Sequence, residues 1–357
     1  MKIIFNPPDN KENLYIRLMI APLERAGFEI EPLDNFLSSY RHMKSIQLIH
    51  LNWFENIDDS SFFVAFKSFI RKLTVLVAIR LTGKPLVWTM HNRVSHEKGL
   101  RFFSRTITFL LFRWTHKIIV HSPISIPLLA AQSKAAAAKA IYIPHPHFIG
   151  AYGPIIMSRP MMEEGTLQLL FIGAVKPYKN IELLMTLAKA YAKEVAVTIA
   201  GKPINTLYKN KLEQLVGAAT NIDLQLRFIG DEEIPQLLGH ADLLVLPYDL
   251  ASSLNSGTVL LAFSYKKSVI CPDIGTIQDL GNAKSQVLTY HYSTPAEHAL
   301  RLSEKIEEAI RLKAKNPAIF NQWGEHLFQH MSQQHANDKI GEQLIAVYME
   351  LLNKQAA

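Results

Sequence analysis

One pattern dominates the sequence: short apolar segments alternate with longer amphipathic segments, and the alternation runs along the chain twice. The first pass predicts strands at 2–6, 28–32, 45–51, 86–90 and 117–120, with helices at 14–26, 61–81 and 100–115. The second pass predicts strands at 167–172, 195–200, 224–229, 243–246 and 269–271. Strands separated by helices pair in parallel, because each connection must cross back over the sheet. The alternation therefore predicts an α/β protein with doubly wound parallel sheets.

A break between the two passes predicts two domains. Glycine, proline and charged residues replace the apolar pattern over 154–165. We expect a first domain over 1–160, a second over 161–330, and a C-terminal helical segment over 331–357 that packs back towards the first domain. Ligands of doubly wound sheets bind beyond the carboxyl ends of the strands, so the domains are expected to face each other across a cleft.

Composition narrows the class of protein. Apolar residues make up 48% of the chain and charged residues 19%, which excludes a wholly disordered chain. Cys271 is the single cysteine, so a disulfide framework is excluded and a reducing compartment is expected. The segment 1–5 turns polar at Asn6 before the apolar core of a signal peptide develops. We therefore expect a cytoplasmic location.

The net charge of +7 comes largely from the region between Lys67 and Lys117. Basic residues alternate there with large apolar ones, notably over 62–72 and 100–105. On a helix this gives an aromatic face edged by cations, which suits peripheral contact with the inner face of an anionic membrane. The same spacing is typical of amphipathic helices that pack on a sheet, so both interpretations stay open. Nucleic acid is not expected as a partner, because no recognisable binding module accompanies the charge.

Two corners of the second pass carry groups that suit phosphate. Ser256-Gly257-Thr258 begins a helix after the strand 243–246, where free N–H groups and the helix dipole attract anions. Lys176 and Lys179 follow the strand that ends before Gly173. A lysine at a helix start is electrostatically unfavourable unless an anion binds there, although a solvated lysine is the alternative. Two such corners in one sheet suggest a diphosphate ligand.

Several ionisable groups leave the strand 86–90 together, in the segment from His91 to Glu97. A zinc site is not expected, because His91 and His96 are five residues apart whereas a metalloprotease helix has histidines four apart. Either His91 or Glu97 suits a general base whose pKa is tuned by burial or neighbours. The alternative for Glu97 is a carboxylate that stabilises a helix N-terminus.

His50-Leu51-Asn52-Trp53 ends another predicted strand. Strand side chains alternate, so His50 and Asn52 point to the same face, and Trp53 offers an apolar plate for a sugar or lipid-linked acceptor. The alternative is that Trp53 belongs to the core. Two prolines make the segment 143–147 extended, and we interpret it as a rigid approach to the domain linker. A metal site at His145 and His147 would need further ligands.

These motifs resemble those of the glycosyltransferases with the two-domain GT-B fold, in the group 1 or family 4-like superfamily. The likeness runs over nearly the whole chain and is strongest over 167–279. The loop 173–180 looks like the family's first donor loop, whose lysine contacts the diphosphate, and 256–258 looks like its phosphate helix. In the first half, 50–53, His91-Asn92 and His96-Glu97 resemble a bacterial subgroup that acts on polyprenyl-linked glycans.

The resemblance implies a fold, an activity and a set of residues. The fold is GT-B, with two Rossmann-like domains. The activity is transfer of a hexose from a nucleoside-diphosphate sugar to a glycan or polyprenyl-linked acceptor in polysaccharide biosynthesis, without a cofactor. The implied donor contacts are Gly173, Lys176, Lys179, Tyr248, Ser253, Asn255, Ser256, Gly257 and Thr258. The implied acceptor contacts are His50, Asn52, Trp53 and His96, and the implied catalytic residues are Glu97 first and His91 second.

Two departures from the family pattern bear on the mechanism. Retaining members carry two glutamates eight positions apart, and the corresponding positions here are Ser253 and Leu261. The arginine of the first donor loop falls on Ala174. We therefore expect an inverting, metal-independent enzyme in which lysines and helix dipoles stabilise the leaving diphosphate. The rivals are a catalytically silent sugar-nucleotide-binding partner in glycan assembly and a sugar-nucleotide epimerase of the same fold.

Overall fold

The computed structural model describes residues 1–10, 13–58, 61–91, 101–156, 165–250 and 253–356. It divides into two compact units: unit 1 is Met1–Pro146 with His335–Ala357, and unit 2 is His147–Gln334. The division lies earlier than the stretch 154–165, because the backbone after Pro146 already bonds within unit 2. The Phe148 N–H donates to Ser264 Oγ at 2.9 Å, and the Tyr152 N–H donates to Tyr265 Oη at 2.8 Å.

Unit 1 is built on a six-stranded sheet of order β2-β1-β3-β4-β5-β6, and every pairing is parallel. Its elements up to residue 146 are β1 (Lys2–Asn6), α1 (Tyr15–Arg25), β2 (Glu29–Glu31), α2 (Tyr40–Ser45), β3 (Leu48–Asn52), α3 (Phe62–Leu81), β4 (Leu86–Met90), α4 (Arg101–Trp114), β5 (Lys117–Val120), α5 (Ser125–Gln132), α6 (Lys134–Ala137) and β6 (Ala140–Tyr142). Strands β3 and β4 are buried at every residue, as in a parallel sheet covered on both faces.

Unit 2 has a second parallel six-stranded sheet, of order β12-β11-β10-β7-β8-β9. Its elements are β7 (Leu167–Ile172), α7 (Ile181–Ala190), β8 (Val195–Ala200), α8 (Thr206–Val216), β9 (Ile222–Gln225), α9 (Ile234–His240), β10 (Leu243–Val245), α10 (Gly257–Ser264), β11 (Ser268–Pro272), α11 (Gly275–Gln278), β12 (Leu288–Tyr290), α12 (Pro295–Lys315) and α13 (Ile319–Gln334). The strand order reverses direction between β7 and β10, which is where doubly wound sheets open a ligand crevice.

The predicted α/β class and the alternation of strands and helices are confirmed. The bounds of β1, β4, β5, β7 and β8 coincide with the predicted ones. The predicted strand 224–229 was wrong at its end, since β9 stops at Gln225 and Phe228 is exposed. The sequence did not predict β6 or β12, because three residues are too few to show a pattern.

The C-terminal helix α14 (Asn337–Ala356) packs on α1 within unit 1. Its Tyr348 is fully buried, in the same apolar core as Ile16 and Leu23 of α1. Gly341 allows the close approach, because a Cβ at this position would lie 2.3 Å from the Cβ of Pro22. Unit 1 is therefore completed by residues from the far end of the chain.

Gly341→Ala is expected to destabilise unit 1 by about 1–3 kcal/mol, since the added methyl group overpacks a rigid proline ring. Urea unfolding followed by circular dichroism measures the effect. Gln343→Ala is the control, because this side chain is exposed on the same helix. Glycine-to-alanine in an unobstructed helix stabilises by about 1 kcal/mol, so a gain in stability for Gly341→Ala would contradict this packing.

Candidate functional site

The two phosphate corners of unit 2 lie beside each other, beyond the neighbouring strands β7 and β10. Gly173 follows β7 with a φ of +130°, and Gly201 follows β8 with a φ of +149°. A Cβ on Gly201 would lie 1.8 Å from the Gly173 carbonyl oxygen, so only glycine fits at that position. A Cβ on Gly173 would lie 3.5 Å from Thr258 Oγ1. The loop after β7 thus reaches the start of α10.

Lys179 lies over the aromatic ring of Tyr248, with its Nζ 3.7 Å from the ring centroid. It belongs to a 3₁₀ turn, Pro177–Lys179, that precedes α7. Asn180 follows in the left-handed conformation, and its Nδ2 donates to the Pro247 carbonyl at 2.9 Å. This bond joins the turn to the segment after β10. The corner is therefore formed by two loops that are distant in sequence: one carries Lys179 and the other carries Tyr248.

The Lys179 ammonium forms no ion pair with a carboxylate in the part of the chain that the structure describes. Burial lowers the pKa of Lys179, because desolvation disfavours the charged form. The face of the Tyr248 ring offsets part of this cost by a cation–π interaction. A desolvated cation that lacks a counter-charge is the arrangement that an anionic ligand completes.

The start of α10 supplies N–H donors to the same corner. Ser256 is the N-cap: its Oγ accepts from the Val259 N–H and donates to Tyr248 Oη at 3.0 Å. The Ser256 N–H is already bonded to Thr276 Oγ1 at 3.0 Å. By contrast, we find no protein acceptor for the N–H groups of Gly257 and Thr258 among the described residues. Two of the three predicted N–H donors therefore remain available for a ligand, whereas Ser256 serves to hold Tyr248 and the helix start.

The other predicted donor residues lie around this corner. Lys176 and Asn255 are partly exposed, whereas Ser253 is buried. The Lys176 carbonyl accepts from the Lys179 N–H at 3.0 Å, and the Ser253 N–H donates to the Asp249 carbonyl at 2.9 Å. Contact of these three residues with a donor stays a prediction.

In unit 1, a buried hydrogen-bond network connects the end of β3 with the residue after β4. Asn52 Nδ2 donates to the Asn6 carbonyl at 3.3 Å, which turns its Oδ1 towards His91. His91 Nε2 lies 3.1 Å from that oxygen and must carry the proton, because an amide oxygen only accepts. Burial lowers the pKa of His91 well below its usual value, so the ring is neutral at pH 7. The basic nitrogen of His91 is therefore Nδ1.

A second pair of residues supports this network. His121 Nδ1 donates to the Ile143 carbonyl at 2.8 Å, so its Nε2 accepts from the Tyr15 hydroxyl at 2.8 Å. Burial lowers the pKa of His121 to about 4. The ring of Tyr15 in turn meets the ring of His91 edge-on, with centroids 5.1 Å apart. Neither Tyr15 nor His121 belongs to a sequence motif, so no sequence pattern indicates their role.

Trp53 stacks on His91, with ring centroids 4.2 Å apart and planes 17° from parallel. Its backbone has a φ of +49°, an uncommon conformation for a bulky residue. Strain of this kind persists only where the surroundings enforce it, and it is concentrated at functional sites. Trp53, Asn52 and His91 are therefore brought together, as their positions at neighbouring strand ends predicted.

His50 is placed differently from the predicted acceptor contact. It is fully buried, and both ring nitrogens have protein partners: Nδ1 lies 2.5 Å from Tyr348 Oη and Nε2 lies 2.7 Å from Thr89 Oγ1. Burial lowers its pKa to about 3. His50 thus joins β3 to α14 inside the core. The strand pattern could not show this, because Tyr348 is 298 residues away.

The remaining predicted residues give a mixed outcome. His96 and Glu97 lie outside the described residues, so their roles stay predictions. His145 is buried beside His121, with ring centroids 5.3 Å apart, and its Nδ1 donates to the Pro146 carbonyl. Within the described ranges, no group of three or more His, Cys, Asp or Glu side chains is arranged to hold a metal ion.

Helices α3 and α4 expose large apolar side chains within unit 1. Phe62, Phe63, Phe66 and Phe102 are between 47% and 81% exposed, although Phe103 beneath them is buried. Phe103 packs against Phe69 with centroids 4.8 Å apart. The buried Phe103 packs as in ordinary amphipathic helices. The exposed phenylalanines of α3 and α4 form an aromatic surface that the described residues of unit 1 do not cover. In the described part of the chain, no helix has the length and apolarity needed to cross a bilayer.

A comparison with protein families gives a match within unit 2. Residues 166–310 match the family model described as "Glycosyl transferases group 1". The matched residues lie in unit 2, which is therefore similar to the group 1 glycosyltransferases. The chain is also similar to the GDP-mannose:glycolipid 4-beta-D-mannosyltransferase of Xanthomonas campestris pv. campestris, with 28% identity over 205 residues. That alignment covers 56% of this chain and 53% of the relative, about half of its length.

Solved structures agree over almost the whole chain. HepE of Anabaena, in complex with UDP, has 16% sequence identity and a TM-score of 0.69, with 98% of this chain and 100% of HepE covered. Sucrose-phosphate synthase of Thermosynechococcus elongatus has 14% identity and a TM-score of 0.72, with 99% of each chain covered. At these identities the likeness establishes the fold alone. The predicted GT-B fold and the resemblance to group 1 glycosyltransferases are both confirmed.

Two residues of unit 2 depart from the pattern of the family that it resembles. Ser253 and Leu261, at the positions of the two glutamates, are both buried, and neither can ionise. Leu261 lies in α10, one turn beyond the N–H donors of Gly257 and Thr258. At this corner the structure offers the Lys179 ammonium and backbone N–H groups, whereas Ser253 and Leu261 offer no carboxylate.

Acidification is expected to destabilise unit 1, because its buried histidines must remain neutral. A group whose pKa is lowered by folding takes up its proton first in the unfolded chain, so stability is complete above pH 6.5 and falls between pH 6.5 and about 3–4. Urea titrations from pH 8 to pH 4 measure this slope. His121→Asn should flatten it, whereas His291→Asn, at an exposed position of unit 2, should not. Equal slopes in all three proteins would contradict the assignment.

Proposed function

We propose that this protein is a metal-independent glycosyltransferase that moves a hexose from a nucleoside-diphosphate sugar to a glycan or lipid-linked glycan acceptor. The observation that carries the proposal is the Lys179 ammonium, which lies over the Tyr248 ring without a carboxylate partner among the described residues, together with the N–H groups of Gly257 and Thr258 at the start of α10. The match of 166–310 to group 1 glycosyltransferases supports it. The donor base is open, since one relative is named for GDP-mannose and one structural neighbour binds UDP.

The corner suits the leaving diphosphate better than the sugar. As the glycosidic bond breaks, negative charge accumulates on the departing phosphate oxygen. A fixed cation and two oriented N–H groups stabilise this charge without having to reorganise. Lys179 and the α10 N-terminus would thus supply the electrostatic role that a divalent cation has elsewhere.

The catalytic base belongs to unit 1 in this proposal. Inversion needs a group that removes the proton of the acceptor hydroxyl while that hydroxyl attacks the sugar. His91 fits this role, because Asn52 holds the proton on Nε2 and leaves Nδ1 basic. Glu97 remains the other predicted base. Inversion is favoured because Ser253 and Leu261 provide no carboxylate at the positions that retaining members use.

Peripheral contact with the inner face of a membrane is part of the same proposal. The exposed phenylalanines of α3 and α4 stand beside the exposed Lys67, and anionic lipid attracts such a combination. A relative is named as acting on a glycolipid, which supports a membrane-borne acceptor. The silent-partner and epimerase alternatives predict no transfer to lipid.

Lys179→Met is expected to weaken binding of UDP or GDP about 10- to 100-fold, since a charge-assisted hydrogen bond contributes about 1.5–3 kcal/mol. A thermal-shift titration with EDTA present measures this, and the ligand-free melting temperature should not fall, because a desolvated cation has been removed. Lys189→Met, on the exposed face of α7, is the control. Undiminished binding by Lys179→Met, or no nucleotide binding by the wild type, would count against the proposal.

His91→Gln is expected to lower the transfer rate about 10²- to 10⁴-fold, the usual contribution of a general base. Transfer is followed as incorporation of radiolabelled sugar into lipid-extractable product, and the donor-induced thermal shift should be unchanged. Inversion predicts a β-linked product from an α-configured donor. Glu97→Gln is measured in parallel: loss only in that variant assigns the base to Glu97, and loss in neither rejects a base in unit 1.

A further inference from the structure

Tyr292 reaches from the edge strand of the unit 2 sheet to the loop that carries Tyr248. It is the second residue after β12, and β11 separates β12 from β10 in the strand order. Its hydroxyl donates to the Tyr248 carbonyl at 2.9 Å and accepts from the Leu250 N–H at 3.0 Å. One side-chain hydroxyl therefore bridges the backbone on both sides of Asp249.

The loop after β10 is held from its other side by the loop after β7. Two hydrogen bonds join these loops, and in one of them the Asp249 N–H donates to the Tyr178 carbonyl at 3.3 Å. Since β7 and β12 lie on opposite sides of β10, the segment 247–250 is anchored from both directions. The Tyr248 ring, which lies 3.7 Å from Lys179 Nζ, is carried by this doubly anchored segment.

Tyr292 is itself fixed by the start of α12. Its ring stacks on the ring of the buried His298, with centroids 3.9 Å apart and planes 4° from parallel. His298 Nε2 lies 3.0 Å from the Tyr290 hydroxyl. The Ser293 N–H donates to Glu297 Oε2 at 2.9 Å, which holds the turn between β12 and the helix. The bridging hydroxyl is thus placed by a helix and a strand rather than by a loop.

The protonation states of the stacked pair suit a permanent bridge. Burial raises the pKa of Tyr292 to about 12, so the hydroxyl keeps the proton that it donates to the Tyr248 carbonyl. Burial lowers the pKa of His298 to about 4, so the ring beside Tyr292 is neutral at pH 7. Neither group changes its charge near neutral pH, and the bridge is constant there.

We propose that Tyr292 is a positioning residue of the donor site, whose hydroxyl bridge holds the Tyr248 ring beneath the Lys179 ammonium. The inference rests on the proposed transferase function and deepens it by adding a residue that sets nucleotide affinity through another side chain. Without the hydroxyl, the Tyr248 carbonyl and the Leu250 N–H must find new partners, so the loop shifts. The attraction between a cation and a ring face depends on their distance, so a shifted ring no longer holds the ammonium in place for a diphosphate.

Tyr292→Phe tests the bridge, because it removes the hydroxyl and keeps the ring that stacks on His298. NMR of the ligand-free full chain, labelled with carbon-13 at the lysine ε-carbons, reports where Lys179 lies, and Lys179→Met assigns its signal. Protons above an aromatic ring resonate upfield, so an upfield Lys179 signal is expected in the wild type. In Tyr292→Phe this signal should move towards those of the other lysines. Tyr191→Phe is the matched control, because the Tyr191 hydroxyl also makes two hydrogen bonds within unit 2.

A double-mutant cycle tests whether the effect on the nucleotide passes through Lys179. In calorimetric titrations with UDP and GDP, Tyr292→Phe is expected to weaken binding about 3- to 10-fold in the wild-type background, and less than about twofold in the Lys179→Met background. Unweakened binding, equal losses in both backgrounds, or an unmoved Lys179 signal would each overturn the positioning role. If the wild type binds neither nucleotide, the transferase proposal fails, and the ligand-free signal still decides whether Tyr292 positions Lys179.

Discussion

The parallel pairing of all strands in each sheet is the constraint on which the rest of the structure depends. The carboxyl ends of parallel strands lie at the same edge of a sheet, so the loops that follow the strands come together at that edge. In unit 2 this edge gathers Gly173, Lys179, Tyr248 and Thr258, although the sequence separates the first from the last by 85 residues. In unit 1 the corresponding edge gathers Asn6, Asn52 and His91. Each candidate site is a consequence of sheet topology.

In unit 2, Tyr248 contacts several of the groups that lie at the carboxyl edge of the sheet. Its ring supports the Lys179 ammonium, its hydroxyl accepts from the N-cap residue Ser256, and its carbonyl accepts from the Tyr292 hydroxyl. One buried side chain thereby fixes a cation and a helix start relative to each other. Because both groups are already held in place, the proposed binding of a diphosphate would need little reorganisation. Burial at this position lowers the pKa of Lys179. The cation–π contact with the Tyr248 ring partly offsets the cost of burying the charge.

In unit 1, the groups at and near the carboxyl edge of the sheet are held by hydrogen bonds between neutral side chains. Its histidines are buried and depend on hydrogen bonds rather than on charge: His121 bonds to Tyr15, His91 to Asn52, and His50 to Tyr348. Burial lowers the pKa of each ring, which keeps it neutral at pH 7. A network of this kind stabilises the core near neutral pH and fixes the orientation of the His91 ring at the carboxyl edge of the sheet.

The sequence by itself determined the α/β class, the bounds of β1, β4, β5, β7 and β8, and which residues follow those strands in the loops. These features are local, since a hydrophobic period or a glycine-lysine loop is written in consecutive residues. Only the tertiary structure decided that His50 belongs to the core, that Tyr15 and His121 support His91, and that Ser256 is occupied by Tyr248 and Thr276. Those roles depend on partners from 8 to 298 residues away, whose approach is set by packing and strand order.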